Sequence, residues 1–138
     1  MKILFISSMA VVSADAAASN KLFLQTLGLP LERHETDSNY LFSEKIEGAK
    51  HFGIWPLAQA AKACFGTDVW PSDRPTPQSC IEFEVADAAS VATAAQELQA
   101  NGYALVHQAR TEPWGQTVAR ILTKEGVIVG ISYAPWLH

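Results

Sequence analysis

Side chains able to do chemistry recur at every second position in two short stretches of this chain. His51, Gly53 and Trp55 alternate within residues 50–57, and Cys80, Glu82 and Glu84 alternate within residues 80–85. Every second side chain of an extended segment leaves the same face, so each set forms a row. If both rows line one cavity, Ser132 joins them, and an imidazole and a carboxylate are brought to the same space. Three readings of His51 and Glu82 stay open. They are an acid-base couple, the remnant of a metal site, or hydrogen-bonding groups in a polar-lined cavity. The chain has no Gly-rich phosphate loop, no HExxH, no CxxC and no Ser-His-Asp ordering, which removes the chemistries that depend on those patterns.

The elements that must hold these rows are written twice. Residues 3–12 form an apolar run suited to a buried strand, Ser13-Ala14-Asp15 offers a helix cap, and residues 16–27 carry helical text up to Gly28. From Cys80 the pattern returns: a strand over 80–85, Ala86-Asp87-Ala88-Ala89 matching Ala14-Asp15-Ala16-Ala17, and a helix over 90–100 that ends at Asn101-Gly102. Three strands should follow in each half, at 31–36, 39–43 and 50–57, then at 104–109, 117–122 and 127–133. His51-Phe52-Gly53-Ile54 lies against Ile128-Val129-Gly130-Ile131 in this comparison. The expectation is one α+β domain of two β-α-β-β-β modules, residues 1–57 and 79–138, joined by a linker over 58–78. The repeat also decides the start of the chain. Residues 3–12 with the small residues after them imitate a secretory signal, but their match to 80–85 makes them a core strand.

The linker opens with Ala-rich, helix-compatible text and ends in Pro71, Pro75 and Pro77. Its aromatics, Phe65 and Trp70, either plug an edge of the sheet or face a ligand. Trp114, between Pro113 and Gly115 on the way to Arg120, covers the core, walls a pocket for a planar ligand, or does both. His34 and His107 read as rim residues, and His138 as a loose terminus.

With 138 residues, 49% hydrophobic and 17% charged, the chain is long enough for a real core. A net charge of -4 without a basic run excludes a nucleic-acid surface. The apolar run is too short to span a membrane. Cys64 and Cys80 lack metal-knuckle spacing and read as free thiols of a cytoplasmic protein.

The Glu112-Pro113-Trp114-Gly115-Gln116 segment, followed by a strand, a Lys124-Glu125-Gly126 turn and a last strand, resembles the closing hairpin of the vicinal oxygen chelate superfamily. That group includes glyoxalase I, extradiol dioxygenases and bleomycin-resistance proteins. The resemblance extends over nearly the whole chain and implies a cupped, eight-stranded mixed sheet. It also implies divalent-metal positions, which fall here on Ser8, Gly53, Cys80 and Gly130, and only Cys80 is a transition-metal ligand. The chain is therefore most similar to the metal-free, bleomycin-resistance-like members, which implies no cofactor, a homodimer and a bound small molecule, with drug sequestration and antibiotic resistance as one outcome. The ligand, flat or aromatic, is expected against His51, Gly53, Trp55, Phe65, Trp70, Glu82, Trp114, Gly130 and Ser132, with the two glycines leaving room where metal-binding carboxylates would stand. Under this reading there is no catalytic residue. The rival is a lyase or dioxygenase of the glyoxalase type with a displaced divalent metal ion on His51, Glu82 and Glu112.

Overall fold

The structure, a computed structural model, describes residues 1–26, 28–35, 39–124 and 126–138. In chain order the elements are β1 (Phe5–Ser13), α1 (Ala16–Ser19), β2 (Glu32–Arg33), β3 (Leu41–Ser43), β4 (Phe52–Pro56), α2 (Leu57–Phe65), β5 (Ser79–Glu84), α3 (Ala88–Ala100), β6 (Leu105–Thr111), β7 (Thr117–Leu122) and β8 (Val127–Tyr133). The two aspartates of the repeat do the same work. Asp15 accepts a hydrogen bond from the Ala18 amide at 3.0 Å, and Asp87 accepts one from the Ser90 amide at 2.7 Å, satisfying first-turn donors that the helix itself cannot. The first helix is less regular than expected. After Ser19 it widens into a π-helical turn over Asn20–Thr26, where the Thr26 hydroxyl reaches back to the Lys21 carbonyl at 2.8 Å. Leu27, residues 36–38 and Glu125, on which expected elements also fell, lie outside the described residues.

Eight strands form one sheet among the described residues, in the order β2-β3-β4-β1-β5-β8-β7-β6. This is a module followed by its two-fold copy. β1 runs parallel to β4 and β5 parallel to β8, while β1 and β5 meet antiparallel at the seam. The register puts one rung of small and polar residues across the middle: Ser8 opposite Glu82, Glu82 beside Gly130, and Gly130 opposite Arg120. All of them leave the same face, which is the inside of the cup.

The outer face is covered by α3, through Val91, Ala94 and Ala95 packed with Val85, Ala119 and Ile131. The inner face is half covered. The linker forms α2, whose Ala60 and Ala61 are fully buried against Ala10, Val12, Cys80 and Ile128. Gly66, at φ +78°, closes this helix in the left-handed conformation that L side chains avoid, and its amide bonds the Lys62 carbonyl at 2.9 Å. Small alanines let α2 sit close on one end of the cup, so the other end is left as the cavity. No helix among the described residues is long and apolar enough to cross a membrane.

Candidate functional site

The open end of the cup is a cavity of about 650 Å³. Its floor comes from β1, β5 and β7 through Ser8, Cys80, Glu82 and Arg120, and its walls include Tyr40, Phe42, His51, Trp55, Trp114 and Trp136. Arg120 is the centre of the polar floor although it is only 1% exposed. One guanidinium nitrogen, Nη1, donates to Glu112 Oε1 at 3.2 Å and to His107 Nε2 at 3.1 Å. The other, Nη2, lies 3.6 Å from Glu82 Oε1, and the guanidinium carbon stands 5.4 Å from the Trp55 ring centroid, within cation-π range. Burial works against the charge, but the acidic neighbours, Glu82 foremost, more than offset it and raise the pKa of Arg120 above its ordinary value. Its Nε has no hydrogen-bond partner among the described residues, and leaving such a buried donor unpaired costs about 1–3 kcal/mol.

Gln116 organises the rest of the floor. Its carbonyl oxygen accepts from Trp114 Nε1 at 2.9 Å, while its amide donates to Glu82 Oε2 at 2.7 Å and to Ser132 Oγ at 3.1 Å. The Pro-Trp-Gly turn makes this possible. Gly115 adopts φ +94°, and the Gly115 amide bonds the Glu112 carbonyl at 2.9 Å, folding Glu112 and Gln116 inward from either side of the half-exposed Trp114. Glu112 is buried and also holds Arg110 Nε at 2.9 Å.

The opposite wall is aromatic and titratable. Tyr40, Phe42 and His51 stack with interplanar angles of 11°, 13° and 7°, so the three rings run nearly parallel along this wall. Tyr40 Oη lies 2.7 Å from His51 Nε2, and His51 Nδ1 is 3.6 Å from Glu44 Oε1. Burial lowers the His51 pKa, with Glu44 opposing, and burial together with the Glu82 charge raises that of Tyr40. A neutral imidazole with Nδ1–H toward Glu44 then accepts the Tyr40 hydroxyl at Nε2. His107 is lowered as well, by burial and by the nearby Arg120 charge, although the bond to the Gln108 carbonyl works the other way.

Both histidines thus bind protons less readily folded than unfolded. Stability is expected to fall as pH drops below their ordinary value of 6.5, with a slope no steeper than about 1.4 kcal/mol per pH unit for each. Urea midpoints between about pH 7.5 and 5.5 check this, and a flat or rising midpoint on acidification would contradict it.

Of the residues expected at the site, His51, Trp55, Glu82 and Trp114 line the cavity. Ser132 does not, because it is fully buried beneath Gln116 and donates to Glu84 Oε2 at 2.6 Å. Phe65 and Trp70 also stay out. They pack edge to face at 4.9 Å, and Trp70 Nε1 bonds the Pro75 carbonyl at 2.9 Å, so they plug the covered end. The two glycines are beside the cavity, but their space is already used. A Cβ on Gly53 would fall 2.5 Å from Tyr40 Oη, and one on Gly130 would fall 2.9 Å from Glu82 Cγ, so protein side chains fill the hollows expected for a ligand. The terminus is likewise held: His138 Nε2 lies 3.1 Å from the buried Glu84, and Trp136 and Leu137 wall the cup. His107, expected at the rim, supports Arg120 instead.

The four positions implied for a metal carry Ser8, Gly53, Cys80 and Gly130. These donors do not fit a divalent ion: the Cys80 thiol is pushed well up, first by burial, and the Arg120 guanidinium occupies the same rung as a fixed positive charge. Among the described residues no group of three His, Cys, Asp or Glu side chains could hold a metal. The displaced set does not assemble either, since Glu82 and Glu112 are turned to Arg120 and His51 to Tyr40.

Comparison with known proteins places this geometry. The chain resembles a glyoxalase/bleomycin resistance protein/dioxygenase superfamily member from Vibrio splendidus, at 12% identity and TM-score 0.56 over 95% of this chain and 98% of that one. It is also similar to a variant of methylmalonyl-CoA epimerase from Streptomyces coelicolor, at 15% identity and TM-score 0.57 over 99% of both chains. A protein named as an NAD-dependent benzaldehyde dehydrogenase from Legionella pneumophila matches at 10% identity and TM-score 0.57 over 91% and 96% of the two chains. Identities this low show a shared fold alone. No curated protein sequence matches. The sequence model of the Glyoxalase/Bleomycin resistance protein/Dioxygenase superfamily matches residues 5–131, and with the duplicated, cupped sheet this establishes that the chain belongs to that superfamily.

Proposed function

We propose that this protein binds a flat or aromatic small molecule in its cup without a metal, as bleomycin-resistance-like members do. The observation that carries the reading is the replacement of metal donors by a buried guanidinium under Trp55, faced by the Tyr40-Phe42-His51 wall. A floor whose acids are held by a guanidinium, under aromatic walls, favours holding a planar ring over polarising a substrate oxygen. Sequestration of a drug, in the cytoplasmic setting that two buried free thiols suit, is one use of such a cup. The rival, a metal-dependent lyase or dioxygenase of the glyoxalase type, is tested by offering Ni, Zn, Mn or Fe to purified protein and analysing the retained metal after desalting. Sub-stoichiometric metal, together with quenching of tryptophan fluorescence by a planar ligand such as quinoline, supports the binder. One tightly held ion per chain supports the enzyme.

The proposed functional unit is a homodimer. Ile6 and Met9, 48% and 46% exposed, pair with Phe83 and Ile81 on the outer face, where α3 does not reach. This puts the uncovered apolar surface on the convex side of the sheet. A second chain covering that strip would bury it. Light scattering at micromolar concentration should give about twice the 15.0 kDa chain mass. A mass of one chain would refute the dimer while leaving the cup untouched.

A further inference from the structure

Glu84 is fully buried and does not line the cup, yet both of its oxygens are in use. Oε2 accepts the Ser132 hydroxyl at 2.6 Å, and Oε1 takes the Ala134 amide together with His138 Nε2, the latter at 3.1 Å. What Oε1 holds is the segment that follows β8. Beyond the Ala134 bond, and among the described residues, the backbone of 134–138 bonds only to itself, Leu137 N to the Ala134 carbonyl at 2.9 Å and His138 N to the Pro135 carbonyl at 3.4 Å. A segment outside the sheet frays unless something ties it down. Here the tie is one carboxylate oxygen, helped by the His138 ring against Phe5 and Tyr133 at centroid distances of 5.7 and 5.2 Å.

Between the two tied residues stand Trp136 and Leu137, which wall the cup, and the Trp136 indole is 50% exposed. The other oxygen of Glu84 leads to a second half-exposed indole. Ser132 Oγ receives the Gln116 amide, and the Gln116 side-chain oxygen receives Trp114 Nε1. One buried carboxylate thus fixes Trp114 through one oxygen and the segment carrying Trp136 through the other.

We propose that Trp136 is a ligand-binding residue on a flap, residues 134–138, and that Glu84 is the positioning residue of this flap. This rests on the cup reading above: the planar ligand packs against Trp136 at the mouth as well as against Trp55 within. Glu84 makes no contact with the ligand. By holding Ala134 and His138 it sets the indole in place before the ring arrives, so that binding is spared the cost of ordering it. Releasing the pin leaves the cup intact with one loose wall, and a bound ring then leaves faster.

Stopped-flow quenching of tryptophan fluorescence by quinoline tests this in the full chain. Trp136→Ala should weaken quinoline binding roughly three- to tenfold, the scale of one aromatic contact, mostly through faster release. His138→Ala removes the partly exposed end of the pin and should speed release about threefold, while His138→Gln, which keeps a donor for Glu84, should restore most of the difference. The decisive comparison is His138→Ala in the Trp136→Ala background, where it should add nothing, because a general loosening of the fold would act in either background. Equal release rates in wild type and Trp136→Ala would overturn the flap and leave the cup reading standing. An undiminished effect of His138→Ala in the absence of Trp136 would overturn the positioning role. If the wild-type protein does not bind quinoline, the cup reading fails and the flap fails with it.

Discussion

Replacing Arg120 with methionine is expected to lower folding stability by about 3–5 kcal/mol, the usual result of removing one partner from a buried ion cluster. The side chain is 1% exposed and is shared by both acids, 3.6 Å from Glu82 Oε1 and 3.2 Å from Glu112 Oε1. Without it, two buried carboxylates face each other with only Arg110 bonded to Glu112, and His107 loses the donor to its Nε2. Urea unfolding would read this directly. Adding Glu82→Gln and Glu112→Gln should return a large part of the loss, since neutral amides do not need the guanidinium. A single variant within about 1 kcal/mol of wild type would mean that the cluster is solvated and that Arg120 does not organise the floor.

The second large effect is expected at Gly53. A Cβ there would stand 2.5 Å from Tyr40 Oη and 3.0 Å from Tyr40 Cζ, so Gly53→Leu must expel the Tyr40 ring from its place over β4 and break the 2.7 Å contact with His51. The displaced ring and the added side chain both enter the cavity. Loss of planar-ligand binding should accompany a stability cost of about 1–3 kcal/mol, typical of overpacking. The cost and the blockade come from the same clash, so a partial rescue by Tyr40→Ala separates them: it should recover stability and leave the cup obstructed. Full binding of quinoline by Gly53→Leu would place the site elsewhere.

The duplicated architecture was legible in the chain because it depends on local patterns. The Ala-Asp-Ala-Ala repeat marked two capped helices, and the β-branched runs marked β7 and β8 to the residue. That His51, Gly53 and Trp55 share one face followed from strand period, and the fold turns that face into the cup. What remained hidden required tertiary knowledge. Arg120 was the one charge in the run Thr117-Val118-Ala119-Arg120-Ile121-Leu122, in register with Val118 on the inner face, and such a residue is either at an edge or buried with partners. That signal called for buried acids, but no sequence rule says which come near; Glu82 and Glu112 are supplied by the fold. Tyr40, thirteen positions away and just before β3, could not be read as the residue that fills the space above Gly53. Nor could the anchoring of His138 by Glu84, since the fate of a chain end depends on what it lands on.

The most direct measurement is equilibrium dialysis of quinoline against protein freed of metal by a chelator, comparing wild type with Trp55→Ala. Burying one ring against these walls is worth about 1–3 kcal/mol. The expected result is one site per chain that is indifferent to the chelator and weakened roughly tenfold or more in Trp55→Ala. Uptake that appears only when a divalent ion is restored, or that is the same in Trp55→Ala as in wild type, would contradict a metal-free aromatic cup.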